Sequence, residues 1–235
     1  MTIRSEARRV VRRLKYALQG KRPPKPDAFL DDCRGVIHVG ASSGQEAPQY
    51  AERGLNVLWY EPIPLVFQEL LQTIEPYSNQ TAIEALLTDQ PNASYKFNIA
   101  GNQGCSSSIF EMKEHKKMWP DVGYVSSIEL QSSTLVNSLT ENAVDTSLYD
   151  ALILDTQGSE LLVLKGAEMV LDRFRYIKTE AADFEAYEGC ARASEIVAWL
   201  AERGFKKIDE RVLMNNESIG KYYDLVFRKE STFNQ

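Results

Sequence analysis

The chain has 235 residues, 43% hydrophobic and 26% charged, with a formal net charge of −6, a balance that describes a folded globular protein and excludes a disordered or fibrous one. No apolar run approaches the ~20 residues needed to cross a bilayer, and Cys33, Cys105 and Cys190 are too far apart to form a C-x-x-C pair for zinc or redox chemistry. Reduced thiols and a cytoplasmic setting are therefore expected.

The charge is unevenly placed. Residues 1–27 hold nine Lys/Arg against Glu6 and Asp27, so this stretch carries +7 and the remainder −13. An acidic body argues against nucleic acid as a partner, since such grooves need clustered positive charge. Ile3, Ala7, Val10, Val11, Leu14 and Leu18 recur three or four apart and predict an amphipathic helix over residues 3–19, with arginines on its polar face. Gly20 closes it, and the prolines of Lys21-Arg22-Pro23-Pro24-Lys25-Pro26 enforce an extended linker. Such a helix can pack on the domain or a partner subunit, or lie on an anionic inner-membrane surface as a peripheral contact. It lacks the continuous apolar core and cleavage site of a signal peptide. The expected organisation is a basic helix and linker over 1–27 and one domain over 28–235, in which 88–132 is an inserted excursion on the substrate side.

From residue 35 strands and helices alternate, the pattern of a parallel sheet with helices on both faces. Strands are predicted near 35–39, 57–60, 82–87, 150–154, 175–180, 205–210 and 223–228, and helices near 45–53, 64–74, 134–142, 160–171 and 192–203. The last two strands leave no room for a helix between them and should pair antiparallel, giving one reversed edge strand. Within the excursion, Tyr95-Lys96-Phe97-Asn98-Ile99 reads as an extra strand, Gly101 to Ser108 as a small-polar loop, and Glu111 to His115 as a short helical piece. Long polar excursions on α/β scaffolds tend to carry function.

Four strand ends carry chemistry. Gly35-Val36-Ile37-His38-Val39-Gly40-Ala41-Ser42-Ser43-Gly44 is a strand running into a glycine turn, and Val57-Leu58-Trp59-Tyr60 ends in Glu61, 21 residues beyond Gly40. That spacing suits a carboxylate accepting ribose hydroxyls. Ser42 stands where a dinucleotide turn has its middle glycine, which favours an adenosine cofactor without a pyrophosphate. Leu152-Ile153-Leu154-Asp155-Thr156-Gln157-Gly158-Ser159-Glu160 ends a third strand in Asp155, with Gln157 and Glu160 near it. Tyr176-Ile177-Lys178-Thr179-Glu180, followed by Tyr187 and Gly189, ends a fourth in Glu180. Ligands in open α/β sheets bind at strand C-termini, so Asp155 and Glu180 should face one pocket. There, two carboxylates can raise one another's pKa or together hold a divalent cation. Each acid also has a plain alternative as a helix cap or solvated group. Of the two histidines, His38 and His115, each could be structural, and His115 is placed in the excursion where an imidazole could take an alcohol proton.

These residues resemble the FkbM-type S-adenosylmethionine-dependent methyltransferases. The likeness rests on Ile37 to Glu46, on Trp59-Tyr60-Glu61-Pro62-Ile63-Pro64, on Gln103 to Ile109, on Leu154 to Glu160 with Leu164-Lys165-Gly166-Ala167, and on Glu180 with Tyr187-Glu188-Gly189-Cys190. The resemblance implies an α/β, Rossmann-like class I methyltransferase fold, a mostly parallel seven-stranded sheet with an antiparallel C-terminal hairpin. It implies S-adenosyl-L-methionine as cofactor and a hydroxyl of a sugar, glycolipid or secondary metabolite as acceptor. Carried over by position, His38, Gly40, Ala41, Gly44, Glu61, Ala85, Leu86 and Asp155 would bind the cofactor. The candidates for catalysis are Asp155, Glu180 and His115; no residue is assigned to a metal, and metal assistance is left open. His38 stands where many relatives have Asp, and Thr134-Leu135-Val136 lacks the acid of the usual Thr-Leu-Asp. The rival readings are a nicotinamide-dependent oxidoreductase and a non-catalytic binding module on a degenerate methyltransferase fold.

Overall fold

The computed structural model describes residues 27–230, so the helix expected over 3–19 and the proline-rich linker lie outside the described residues. The chain divides into two units, 1–32 and 33–235. The described part of the first is Asp27 and the 3-10 turn Ala28–Asp32.

The second unit is built on a seven-stranded sheet in the order β3-β2-β1-β7-β8-β10-β9. Its strands are β1 (Gly35–Val39), β2 (Asn56–Glu61), β3 (Gln80–Glu84), β7 (Ala151–Leu154), β8 (Tyr176–Ala182), β9 (Phe205–Asn216) and β10 (Gly220–Lys229). The pairs β1·β2, β2·β3, β1·β7 and β7·β8 are parallel, while β10 runs antiparallel to both β8 and β9. Every residue of β1 and β7 is buried, as expected for central parallel strands covered on both faces. On one face Ile37, Leu58, Leu152 and Ile177 pack with Leu135 and Leu139 of α4 (Leu135–Glu141), Val163 of α5 (Glu160–Gly166) and Ile196 of α6 (Ala193–Glu202). Alternation along β1 and β2 puts His38 and Trp59 on the other face, with Tyr50 of α1 (Ala47–Ala51). Thr134 caps α4 by accepting the Asn137 amide at 3.1 Å.

The structure departs from expectation in five places. The reversed strand is interior, because β10 carries Tyr222, Leu225, Val226 and Phe227 into the core, while β9, rich in Lys206, Lys207, Asp209, Glu210 and Arg211, takes the exposed edge. Burial gives the apolar strand the inner place and the charged one the edge. The stretch predicted as one strand over 82–87 splits into β3 and β4 (Leu86–Leu87), which joins a second sheet, β4-β6-β5. That sheet contains β5 (Ser94–Ala100) and β6 (Tyr124–Ser133), the latter missed because its aliphatic signal is only Val125, Ile128 and Leu130 among four serines, Glu129 and Gln131. The helix predicted over 160–171 ends at Gly166, followed by the 3-10 turn Glu168–Arg173. The short helical piece of the excursion is α3 (His115–Met118), which begins where the predicted one ends. The remaining helix, α2 (Pro64–Ile74), spans the residues predicted for it.

Candidate active site

The turn after β1 folds back on β2, with the amides of Gly40 and Ala41 both donating to the Tyr60 carbonyl at 3.0 and 2.9 Å. Gly40 has φ +82°, and a Cβ there would lie 1.9 Å from the carbonyl oxygen of Asp155. Glycine is thus demanded by the closeness of β1 and β7 as well as by the turn. Ser42, also left-handed at φ +47°, donates its amide to Glu61 Oε2 at 2.9 Å, while Glu61 Oε1 accepts the Ile63 amide at 2.9 Å. Glu61 is 4% exposed and has no cationic partner among the described residues. Burial pushes its carboxyl up to about 7 against the pull of the two amides, with the charge of Asp155 adding to the rise. A carboxylate offers about four acceptor sites, so this one retains capacity for two further donors.

The tip of β7 is organised differently. Gln157 Nε2 donates to Asp155 Oδ1 at 2.6 Å, and Tyr187 donates its hydroxyl to Gln157 Oε1 at 2.7 Å. The Gln157 carbonyl in turn accepts the Ser108 hydroxyl at 2.7 Å, so the polar loop of the excursion grips the same residue. Glu160, 4% exposed, closes the turn by accepting the amides of Thr156 and Gly158 at 2.9 and 3.0 Å. Burial raises its carboxyl to about 7. Asp155 is open to solvent along the cleft, yet the protein crowded around it raises its pKa, with Gln157 opposing; solvent access works against that rise. Asp155 Oδ2 has no hydrogen-bond partner among the described residues, and the buried Thr156 hydroxyl likewise has none.

Glu180 lies beside this turn. Glu160, Glu180, Gln157, Tyr187 and Tyr222 line a cavity of ≈ 20 Å³, about the room one water requires. Burial raises the Glu180 carboxyl well above the ordinary range, and the charges of Asp155, Asp224 and Glu160 raise it further. Asp224 stands directly opposite Glu180 in the β8–β10 ladder, and Lys178 Nζ lies 3.5 Å from its carboxylate. Glu160 and Glu180 thus share this cavity with Tyr222, whereas Asp155, Asp224 and Lys178 are not in its lining and act on Glu180 through their charges. Tyr222 and Asp224 lie inside β10 and belong to no motif, and Lys178, within the run Tyr176 to Glu180, has no role assigned to it.

His115 is 4% exposed, its Nδ1 2.8 Å from the Tyr222 hydroxyl and its ring 4.9 Å from that of Tyr187 and 4.6 Å from that of Trp119. Burial lowers its pKa to about 4, so it is neutral at neutral pH, and its Nε2 is buried without a partner. The excursion reaches this place by joining the loop after β8: the amides of Lys113 and His115 donate to the Ala186 carbonyl, and Met112 bridges Tyr187. His38 is engaged in packing, its Nδ1 3.1 Å from the Tyr50 hydroxyl and its ring 5.0 Å from that of Trp59. Ala85 and Leu86 lie where the chain leaves β3, Leu86 buried with Ile63 and Phe97. Gly44 has φ +77° and sits against Leu70 of α2, while Ala41 is buried. Among the described residues no three His, Cys, Asp or Glu side chains are grouped to hold a metal, no cysteine is in a disulfide, and no helix is long and apolar enough to cross a membrane.

The chain is similar to the 2-O-methyltransferase NoeI of Sinorhizobium fredii, 24% identical over 162 residues, which cover 66% of this chain and 65% of that protein. It thus spans just under two thirds of the length of that curated relative. Solved structures with some likeness include the magnesium protoporphyrin IX methyltransferase of Synechocystis with bound S-adenosylmethionine, at TM-score 0.46, 13% identity and coverage of 86% of this chain and 76% of that one. Another is Aeropyrum pernix fibrillarin, at TM-score 0.47, 14% identity and coverage of 82% and 65%. The fold assignment rests on the strand order itself. A model of the methyltransferase FkbM domain matches residues 38–207, from within β1 to the start of β9 and so well over half of the chain. The chain belongs to the FkbM methyltransferase family.

Proposed function

We propose that this protein binds S-adenosylmethionine across the tips of β1, β2 and β7 and methylates a hydroxyl oxygen on a small-molecule or glycan acceptor. The observation that carries the reading is Glu61: a buried carboxylate without a cation, held by two backbone amides and retaining two acceptor sites, suits a vicinal diol. The partnerless Thr156 hydroxyl supplies a further buried polar atom near the same turn. The relative NoeI, a 2-O-methyltransferase, agrees in reaction type.

When bound, the cofactor supplies an electrophilic methyl group on a sulfonium sulfur. Glu61 holds the ribose by accepting its hydroxyls, and the β1 turn, fixed on Tyr60, sets where the methionine part lies. Asp155 is the general base: Gln157 occupies Oδ1 and leaves Oδ2 to accept the acceptor's proton. Glu180 holds its proton to higher pH than an ordinary carboxyl, so it can donate a hydrogen bond to an acceptor oxygen while Asp155 is ionised. His115, neutral and enclosed by aromatic rings, shapes the acceptor side. Positioning of the reactants supplies most of the acceleration.

The test is calorimetric titration with S-adenosylmethionine, S-adenosylhomocysteine and NADH. Binding of the first two and not the third is expected. Absence of binding by both sulfur compounds would sink the reading, and NADH binding alone would favour an oxidoreductase.

A further inference from the structure

At the opposite end of the sheet from Gly40, Glu61 and Asp155, where β8 and β9 begin and β10 ends, an open groove of ≈ 820 Å³ gathers five cationic side chains against two carboxylates. The described residues outside the basic N-terminal stretch are strongly acidic in balance, so this concentration runs against the composition around it. Two of the five are engaged. Lys229 Nζ bonds Asp172 Oδ1 and the Arg203 carbonyl, each at 2.6 Å, and the Arg175 guanidinium lies over the Tyr176 ring. The side chains of Arg173, Lys206 and Arg228 are exposed and form no ion pair or hydrogen bond among the described residues.

The register adds a second observation. Lys206 of β9 stands directly opposite Arg228 of β10, and like charges directly opposite one another destabilise a ladder. Protection of an edge strand against pairing would account for Lys206 alone. It does not account for Arg228, on the inner strand β10, or for Arg173, which comes from the 3-10 turn after α5.

We propose that this groove is a phosphate site, in which a phosphate-bearing anion sits between Lys206, Arg228 and Arg173. Guanidinium groups match phosphate oxygens with two parallel donors, and an ammonium adds a point charge. A doubly charged anion offsets the repulsion between Lys206 and Arg228 and the charge of Arg173, which a single carboxylate would leave partly uncompensated. The groove is a local hollow in an acidic body and does not form the basic stripe that a nucleic-acid backbone needs. A soluble phosphate ester and a phospholipid headgroup share this chemistry. The site is separate from the proposed cofactor cleft and stands or falls without it.

Thermal unfolding of the full chain in inorganic phosphate, against sodium chloride at matched ionic strength, tests the proposal. The wild type is expected to gain about 3 °C in phosphate beyond chloride, as ligand binding to the native state requires. Arg228→Ser is expected to melt higher than the wild type in chloride, the repulsion being gone, and to lose the phosphate-specific gain. An equal response to the two salts, or the same phosphate gain in wild type and variant, would overturn the proposal. Sedimentation with phosphatidic acid vesicles, against phosphatidylcholine vesicles, then separates the two sources. Weaker sedimentation of Arg228→Ser identifies a headgroup, and unchanged sedimentation with a lost phosphate gain identifies a soluble ester.

Discussion

The two sides of the cleft hold their carboxylates by different means. On the β1–β2 side Glu61 is fixed by the backbone amides of Ser42 and Ile63, whose positions follow from strand register. On the β7–β8 side Asp155 is held by a side chain, Gln157, itself held by the side chain of Tyr187, and each link can be lost by a rotamer change. Backbone donors make a preorganised binding site; side-chain donors leave the reacting group adjustable. The pH response also differs. The folded state keeps protons on Glu61 up to about 7 that an unfolded chain releases near its ordinary value, so this group's share of stability is lost as pH rises through about 4.5 to 7. His115, lowered to about 4, stays neutral in the fold while the unfolded chain charges it, so its share is lost as pH falls from about 6.5 to 4.

The sharpest way to break this comparison is at its most rigid point. Gly40→Ala places a Cβ on the Asp155 carbonyl and should destabilise the fold by on the order of 3 kcal/mol in urea unfolding; a loss below about 1 kcal/mol would mean that the turn is less fixed than the backbone bonds imply. Glu61→Ala removes the acceptor of two amides and two proposed ribose hydroxyls, and should weaken S-adenosylmethionine binding by about 100-fold, or ~3 kcal/mol. Undiminished binding would end the ribose assignment. Since ionised Glu61 is the better acceptor, affinity should rise between pH 6 and 8 in the wild type, and calorimetry across that range should find the rise absent in Glu61→Gln. Tyr187→Phe should cost about 1 kcal/mol in stability with cofactor affinity unchanged. A matching loss of affinity would show that the two sides are not independent. The smallest effect is expected from His115→Gln, read by amide protection around residues 111–119 after correction for the intrinsic exchange rate: wild-type protection should fall between pH 6.5 and 5 and the variant's should not.

Much of this was readable in the chain. The glycine turn and Glu61 follow from a spacing of 21 residues, and Asp155 from the apolar run before it, because a parallel strand buried on both faces announces its own end. Glu180, predicted to end its strand, lies inside β8, which continues to Ala182 and pairs Glu180 with Asp224. The strand β6 was not readable, since one face of it is polar and its partner β5 lies some 30 residues earlier. Nor was the use of Gln157: Ser108 is 49 residues before it and Tyr187 is 30 after it, and no local pattern encodes such a meeting. His38 shows a similar limit, its ring committed to Tyr50 and Trp59 on one sheet face as the alternation along β1 decides.

By itself the sequence determined the alternating α/β order, the glycine turn after β1, and the acids Glu61 and Asp155 at the tips of β2 and β7, because hydrophobic period and glycine turns are local properties of the backbone. Tertiary structure alone decided which strand was interior at the C-terminal edge, which oxygen of Asp155 was committed, and that Lys206 met Arg228 across a ladder. Those outcomes depend on register and on competition for burial between segments distant in the chain, and such competition is settled only when the sheet assembles.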